Sequence, residues 1–230
     1  MIRRIFPILG LLTAVLLSYS LYEALIGAPT EQSMGDVQRI FYYHVSSAWT
    51  AFLLFTINFV ASVVYLIRRS VKADILALVT AEVGVVFCTV VLVTGPLWAR
   101  PVWGIWWTWE VRLTSTLVLW LIYVSYLMLR RFSSSGQTPL MAAVLAVFGA
   151  LDVPLVYFSI WFFRTQHPQP VIGGGGSIDP KMLQVVLLNW AGFLCFAGLV
   201  CWSRYRLELL QREVEETQAL QALLDSGGAR

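Results

Sequence analysis

The sequence predicts an all-α integral membrane protein with six transmembrane helices and both termini cytoplasmic, and three observations carry that prediction. Hydrophobic residues make up 58% of the 230-residue chain and charged residues only 13%, at a mean hydropathy of +0.73, whereas soluble globular domains average roughly 25% charged residues. Apolar runs long enough to cross a bilayer occur near 5–26, 43–67, 75–95, 113–129, 140–163 and 182–202. Basic residues cluster beside alternate ends of those runs, the pattern that orients a multi-pass chain.

The first run follows Arg3 and Arg4 as a signal peptide would. It is longer than the usual apolar region of about 7–15 residues, and Ile26-Gly-Ala-Pro29 is a poor cleavage site, so the reading is an uncleaved helix. Arg68, Arg69 and Lys72, then Arg130 and Arg131, then Arg204, Arg206 and Arg212 mark the cytoplasmic ends. Segments 27–42, 96–112 and 164–181 then face outward. Residues 1–203 form the transmembrane domain and 204–230 a cytoplasmic amphipathic tail. That tail has Leu207, Leu210, Val214, Leu220, Leu223 and Leu224 interleaved with glutamates, suiting a partner, the membrane surface or plain solvation.

The outer segments hold the unusual residues. Five of the ten tryptophans (Trp98, Trp103, Trp106, Trp107, Trp109) fall between 98 and 109, beside Arg100, Glu110 and Arg112. If 103–112 is a short amphipathic helix, Trp103, Trp106, Trp107 and Glu110 share one face. Tryptophans beside spans are commonly interface anchors, since the indole body prefers the headgroup region. An anchoring belt needs one or two rings per helix end, so five in one loop favour a surface for something large, flat and apolar. Upstream, Ser33-Met-Gly-Asp36 fits a capping box, which would start the second helix before the membrane and bring His44 to its outer mouth. Downstream, Arg164-Thr-Gln-His-Pro-Gln-Pro170 leads into Gly173–Gly176, a hinge or close approach without the Lys-Ser/Thr of a phosphate loop.

The chain has two histidines, His44 and His167, and the predicted topology puts both on the tryptophan side. A lone interfacial histidine is more often a capping or hydrogen-bonding residue. Two from different segments can offer imidazole nitrogens to opposite faces of a planar metal complex. Iron porphyrin fits: imidazoles for the axial positions, indoles for the macrocycle, and Arg100, Arg112 or Arg164 for the propionates. Zinc is a poor competitor, because two histidines fall short of its usual three or four protein ligands. Cys88, Cys195 and Cys201 lie in apolar runs without C-x-x-C or C-x-x-C-H spacing, so neither a disulfide framework nor covalent haem attachment is encoded. The net charge of +3 says little about partners, and no nucleic acid is expected. Glu82 and Asp152 would each cost a few kcal/mol facing lipid and are expected to face the bundle interior or water, Asp152 possessing a structural role at a Pro154 kink.

With these residues assembled, the chain resembles the haem-handling membrane proteins of cytochrome c maturation, the tryptophan-rich WWD-motif family. The motif stands here as Trp103-Gly-Ile-Trp-Trp-Thr-Trp-Glu-Val-Arg-Leu-Thr-Ser115, with His44-Val-Ser-Ser-Ala-Trp49 before it and Asp152-Val-Pro-Leu-Val-Tyr157 after it. Length and six spans are most similar to CcmC-type members, where CcmF and CcsA have longer chains or more spans. Glu110 stands where the family motif generally has Asp, and Ser46 where it often has Pro.

The resemblance implies noncovalent haem b held at the outer face of the bacterial inner membrane by His44 and His167 over the Trp103–Glu110 platform. It further implies presentation to the haem chaperone CcmE, with the ABC transporter subunits CcmA and CcmB and the small subunit CcmD. That is a delivery subunit rather than an enzyme, and without a nucleotide motif the chain would leave ATP to a partner. The rival expectations are a membrane b-type cytochrome passing electrons and a cofactor-free membrane scaffold whose tryptophans dock a protein.

Overall fold

The computed structural model of the chain describes residues 2–167 and 178–228, and no strand occurs among them. In chain order the helices are α1 (Ile2–Tyr22), α2 (Ile40–Arg68), α3 (Val71–Trp103), α4 (Val111–Phe132), α5 (Thr138–Ala150), α6 (Asp152–Phe162) and α7 (Pro180–Gly228). Six helical stretches are long and apolar enough to cross a membrane: Ile5–Gly27, Asp36–Arg68, Val71–Trp103, Val111–Phe132, Thr138–Phe162 and Pro180–Asp225. Each contains or nearly matches one of the six apolar runs.

The α2–α3 hairpin turns in two residues. Arg69 takes a left-handed conformation (φ 53°) and its N–H donates to Tyr65 O at 2.8 Å, closing α2. Ser70 then caps α3, its Oγ accepting from the Ala73 N–H at 3.4 Å. Tight packing follows: a methyl at Gly84 would lie 2.7 Å from the Phe55 ring. Phe55 in turn stacks on Tyr123 of α4 at a centroid distance of 3.9 Å, so α2, α3 and α4 meet in one aromatic core. Buried Ala142, Ala146 and Gly149 let α5 approach α4 closely, with Ile122 Cγ2 only 2.7 Å from where a Gly149 Cβ would be. α1 lies on α7, where Leu17 fills the space over Gly192.

Ion pairs lock the end of the bundle that carries the α2–α3 and α4–α5 joins. Asp74 accepts from Arg130 at 2.6 and 2.8 Å and from Arg212 at 2.8 Å, tying α3, α4 and α7 together. Glu82 pairs with Arg204 through two bonds of 2.9 Å, which explains a carboxylate inside a span. α7 runs unbroken through position 204 into the amphipathic tail.

Three expectations need correction. First, 103–112 is not a helix. α3 continues to Trp103 through Pro96 and Pro101, Gly104 ends it at φ 77°, and 105–110 is irregular until α4 begins at Val111. A left-handed glycine is a helix terminator, and it outweighed the periodicity of the tryptophans. Second, Ser33 does not cap α2. A short tight turn, Asp36–Arg39, precedes that helix behind Gly35 (φ 59°). The polar cap belongs instead to Glu31, whose carboxylate accepts from the Ser33 and Met34 N–H groups and the Ser33 hydroxyl. Those bonds, Met34's first, hold the Glu31 carboxyl below its ordinary pKa. Third, the kink expected at Pro154 is a full break, so the fifth span, Thr138–Phe162, is made of two helices. In a continuous helix the Pro154 ring would meet the carbonyl of Ala150, so the break falls there and Pro154 sits in the first turn of α6. Asp152 does not relieve the break through Oδ2, which is buried without a partner. Gly173–Gly176 lie outside the described residues.

Candidate functional site

The three joins at the opposite end of the bundle surround two adjoining cavities. The larger, about 620 Å³, is bounded by α2, α7 and the 29–34 segment, with Tyr157 of α6 on its edge. That volume falls in the range of about 300–1,000 Å³ usual for ligand pockets. The smaller, about 80 Å³, runs between α2, α3 and α4 as deep as Cys88 and Thr116. Both are lined by Ala48 and Phe52 and by four residues able to meet a ligand through nitrogen, His44, His167, Trp98 and Arg112, and these six form the shared wall.

Each of the four is placed by a local feature. His44 lies in the second turn of α2 and is buried. Its Nδ1 is 2.9 Å from Thr94 Oγ1 on α3, and Trp98, one turn further along α3, meets its ring edge-on at 5.9 Å. Arg112 is the second residue of α4, where the cavity and not lipid receives it. His167 follows α6 by five residues, in a segment held by two bonds: its N–H donates to Thr165 Oγ1 at 3.0 Å, and the Gln166 N–H donates to a Glu110 carboxylate oxygen at 2.8 Å. Glu110 therefore joins the tryptophan loop to the histidine segment. Arg39 fastens the third join, donating to Ala24 O at 3.0 Å, Ala28 O at 3.4 Å and Thr30 Oγ1 at 3.3 Å, and pairing with Asp36.

The tryptophans divide into two sets. Trp98, Trp103 and Trp107 line the cavities; Trp106 and Trp109 do not and are 57% and 78% exposed. The arginines divide likewise. Arg100 is exposed and donates to Gly104 O across the end of α3, Arg164 is exposed, and only Arg112 of the three lines the cavities.

Two buried donors at this place lack partners among the described residues: Arg112 Nη1 and Trp107 Nε1. Buried donors are nearly always satisfied, so an orphaned guanidinium N–H on a cavity wall suits an anionic ligand group. The two cavities thus offer two imidazoles, four indoles (Trp49, Trp98, Trp103 and Trp107) and the Arg112 guanidinium to a flat apolar molecule bearing carboxylates.

Sequence reasoning missed Thr94, Tyr157 and the start of α7, where Asp179 and Met182 line the larger cavity. A threonine within an apolar run carries no periodic signal. Tyr157 and Met182 reach the cavity only through tertiary packing.

The fold and cavities define a multi-pass helical membrane protein with histidine- and tryptophan-lined cavities at one end of its bundle. The family model described as Heme exporter protein C (CcmC) matches residues 1–220. The chain belongs to that family. It is 34% identical to a protein of Bradyrhizobium diazoefficiens named heme exporter protein C, over 95% of this chain and 84% of that one. It is 29% identical to the protein of the same name in Escherichia coli, over 96% and 90%. A putative cytochrome c biosynthesis ccmC-like mitochondrial protein of Marchantia polymorpha is 31% identical over 80% and 79%.

Proposed function

We propose that this chain binds haem b noncovalently between His44 and His167 and delivers it for cytochrome c maturation. The carrying observation is that both histidines, the only two in the chain, line the same pair of cavities beside Trp98, Trp103, Trp107 and the unpaired Arg112. Iron supplies two axial positions that imidazole nitrogens fill. The indoles cover the macrocycle by stacking, and Arg112 takes a propionate through charge-assisted hydrogen bonds.

Membership of the CcmC family supports the delivery role and its partners. The haem-bearing end faces the outside of the bacterial inner membrane, with both termini cytoplasmic, a reading that the distribution of Lys and Arg supports. There the chain presents haem to the chaperone CcmE, in a complex with CcmA, CcmB and CcmD. ATP is used by a partner, since this chain carries no phosphate-binding motif. Exposed Trp106 and Trp109, which flank the cavity-lining Trp107 in the sequence, suit contact with the chaperone.

The test is the absorption spectrum and pyridine haemochrome of detergent-purified protein expressed with its partners, beside the His44→Ala/His167→Ala variant. The expected result is a low-spin b-type spectrum that is lost or turns high-spin in the variant. A folded wild type without haem would overturn the reading in favour of a protein-docking scaffold, and reversible electron transfer to a quinone would favour a cytochrome.

A further inference from the structure

His44 carries a second relationship that haem delivery alone does not demand. Its Nδ1 lies 2.9 Å from Thr94 Oγ1. That hydroxyl is itself 2.7 Å from Val90 O, one turn back on α3, and 3.4 Å from Val91 O. A threonine hydroxyl has one hydrogen to donate and lone pairs to accept with. The proton belongs on the Val90 side, because the alternative leaves two oxygens 2.7 Å apart with no hydrogen between them. Thr94 Oγ1 is then an acceptor toward the ring, and the hydrogen between it and His44 must be carried by Nδ1.

We infer that Thr94 is a positioning residue that fixes the tautomer of His44, keeping the proton on Nδ1 and leaving Nε2 with the free lone pair. The inference rests on the reading of His44 as an axial ligand and adds which nitrogen serves and what selects it. A neutral imidazole has one lone-pair nitrogen, so a ligand histidine whose proton sat on Nε2 would have to rotate or exchange tautomers before binding iron. Here the backbone of α3 does the selecting: the Val90 carbonyl orients the hydroxyl, and the hydroxyl orients the ring. At the neighbouring Gly95 a methyl would lie 3.6 Å from His44 Cε1, an ordinary van der Waals distance, so the ring lies beside α3 there without being forced by the glycine. Trp98, one turn further along the same helix, meets the ring edge-on with centroids 5.9 Å apart. Two contacts from α3, Thr94 and Trp98, thus act on one imidazole.

The test has a haem-free arm and a haem-bound arm, both on the full chain. With two histidines in the sequence, His167→Gln leaves His44 as the sole imidazole, and [15N]histidine labelling reports its tautomer directly, because protonated and bare ring nitrogens resonate far apart. The expected result is one Nδ1–H tautomer with Thr94, a mixture or inversion in Thr94→Val, and restoration in Thr94→Ser. In the chain retaining His167, Thr94→Val should lower haem affinity about 10–100-fold and raise the high-spin fraction, as loss of a ligand's orienting partner commonly does, with Thr94→Ser close to wild type. An Nε2–H tautomer beside an intact Thr94, or a Thr94→Val variant equal to wild type in both arms, would overturn the assignment. A wild type that binds no haem while its tautomer still responds to residue 94 would overturn the axial-ligand reading and leave the Thr94–His44 relationship standing.

Discussion

The Glu110 carboxylate accepts the Gln166 N–H at 2.8 Å, joining two loops whose residues are 56 apart in the chain. Through this bond the residue that ends the tryptophan loop sets the position of the residue before His167. Glu110 therefore acts on the site as an organiser of backbone and not as part of an aromatic face.

Glu110→Ala should free the Gln166 amide, seen as faster hydrogen exchange at residues 165–167, and lower haem affinity by about tenfold, since hydrogen bonds to charged groups contribute about 1.5–3 kcal/mol. Glu110→Gln keeps an acceptor oxygen and should lose less. Unchanged exchange in Glu110→Ala would remove the bond from any role in holding His167.

Arg112→Gln should weaken haem binding by about tenfold to hundredfold, corresponding to loss of one charge-assisted contact. The dimethyl ester of haem, which lacks the carboxylates, should bind wild type and Arg112→Gln equally. A discrimination between ester and acid that survives in the variant would transfer the propionate contact to another residue.

The tryptophans should separate by experiment as they do in space. Trp98→Ala, Trp103→Ala and Trp107→Ala each remove a cavity wall and should cost about 2 kcal/mol of haem affinity. Trp106→Ala and Trp109→Ala remove exposed rings and should leave haem affinity within about twofold, in the manner of surface substitutions, while weakening transfer to the chaperone. Equal losses at all five positions would restore the single platform that the sequence suggested.

Asp74→Asn leaves Arg130 and Arg212 facing an uncharged partner, and the side chains of Asp74 and Arg130 are 3% and 9% exposed. Breaking a buried pair from one side costs about 3–5 kcal/mol, so thermal unfolding in detergent should fall markedly. Arg212→Gln, at a side chain 29% exposed, should cost about 1 kcal/mol or less. The order Asp74→Asn, then Arg130→Gln, then Arg212→Gln is the outcome to check.

Much of the architecture was readable from composition alone, because a span must be a long apolar helix and there are few other solutions in a bilayer. The six runs came from that constraint, and the kink at Pro154 from the proline's ring and missing N–H. What misled was local: the 100° spacing of Trp103, Trp106, Trp107 and Glu110 describes a helix only if the backbone is one, and Gly104 decides that it is not. What stayed hidden was long-range. Nothing in the sequence near Glu82 points to Arg204, nor near Glu110 to Gln166, because such pairs form only once the helices have packed. The site histidines and Arg112 stood out by rarity and position, whereas Thr94 looked like any small residue in an apolar run.

α7 is one uninterrupted helix of 49 residues, about 74 Å at 1.5 Å per residue. Its first turn supplies Met182 to the larger cavity, and its far end exposes Leu220 and Leu224 well beyond the bundle. Between them, the pairs Arg204–Glu82 and Arg212–Asp74 fasten it to α3. Such a rod is clamped part-way along: a load tilting its leucine-bearing end meets those two pairs first, and the arm at Met182 is held again where Ser46 donates to Val186 O and Asn189 to Ser20 O.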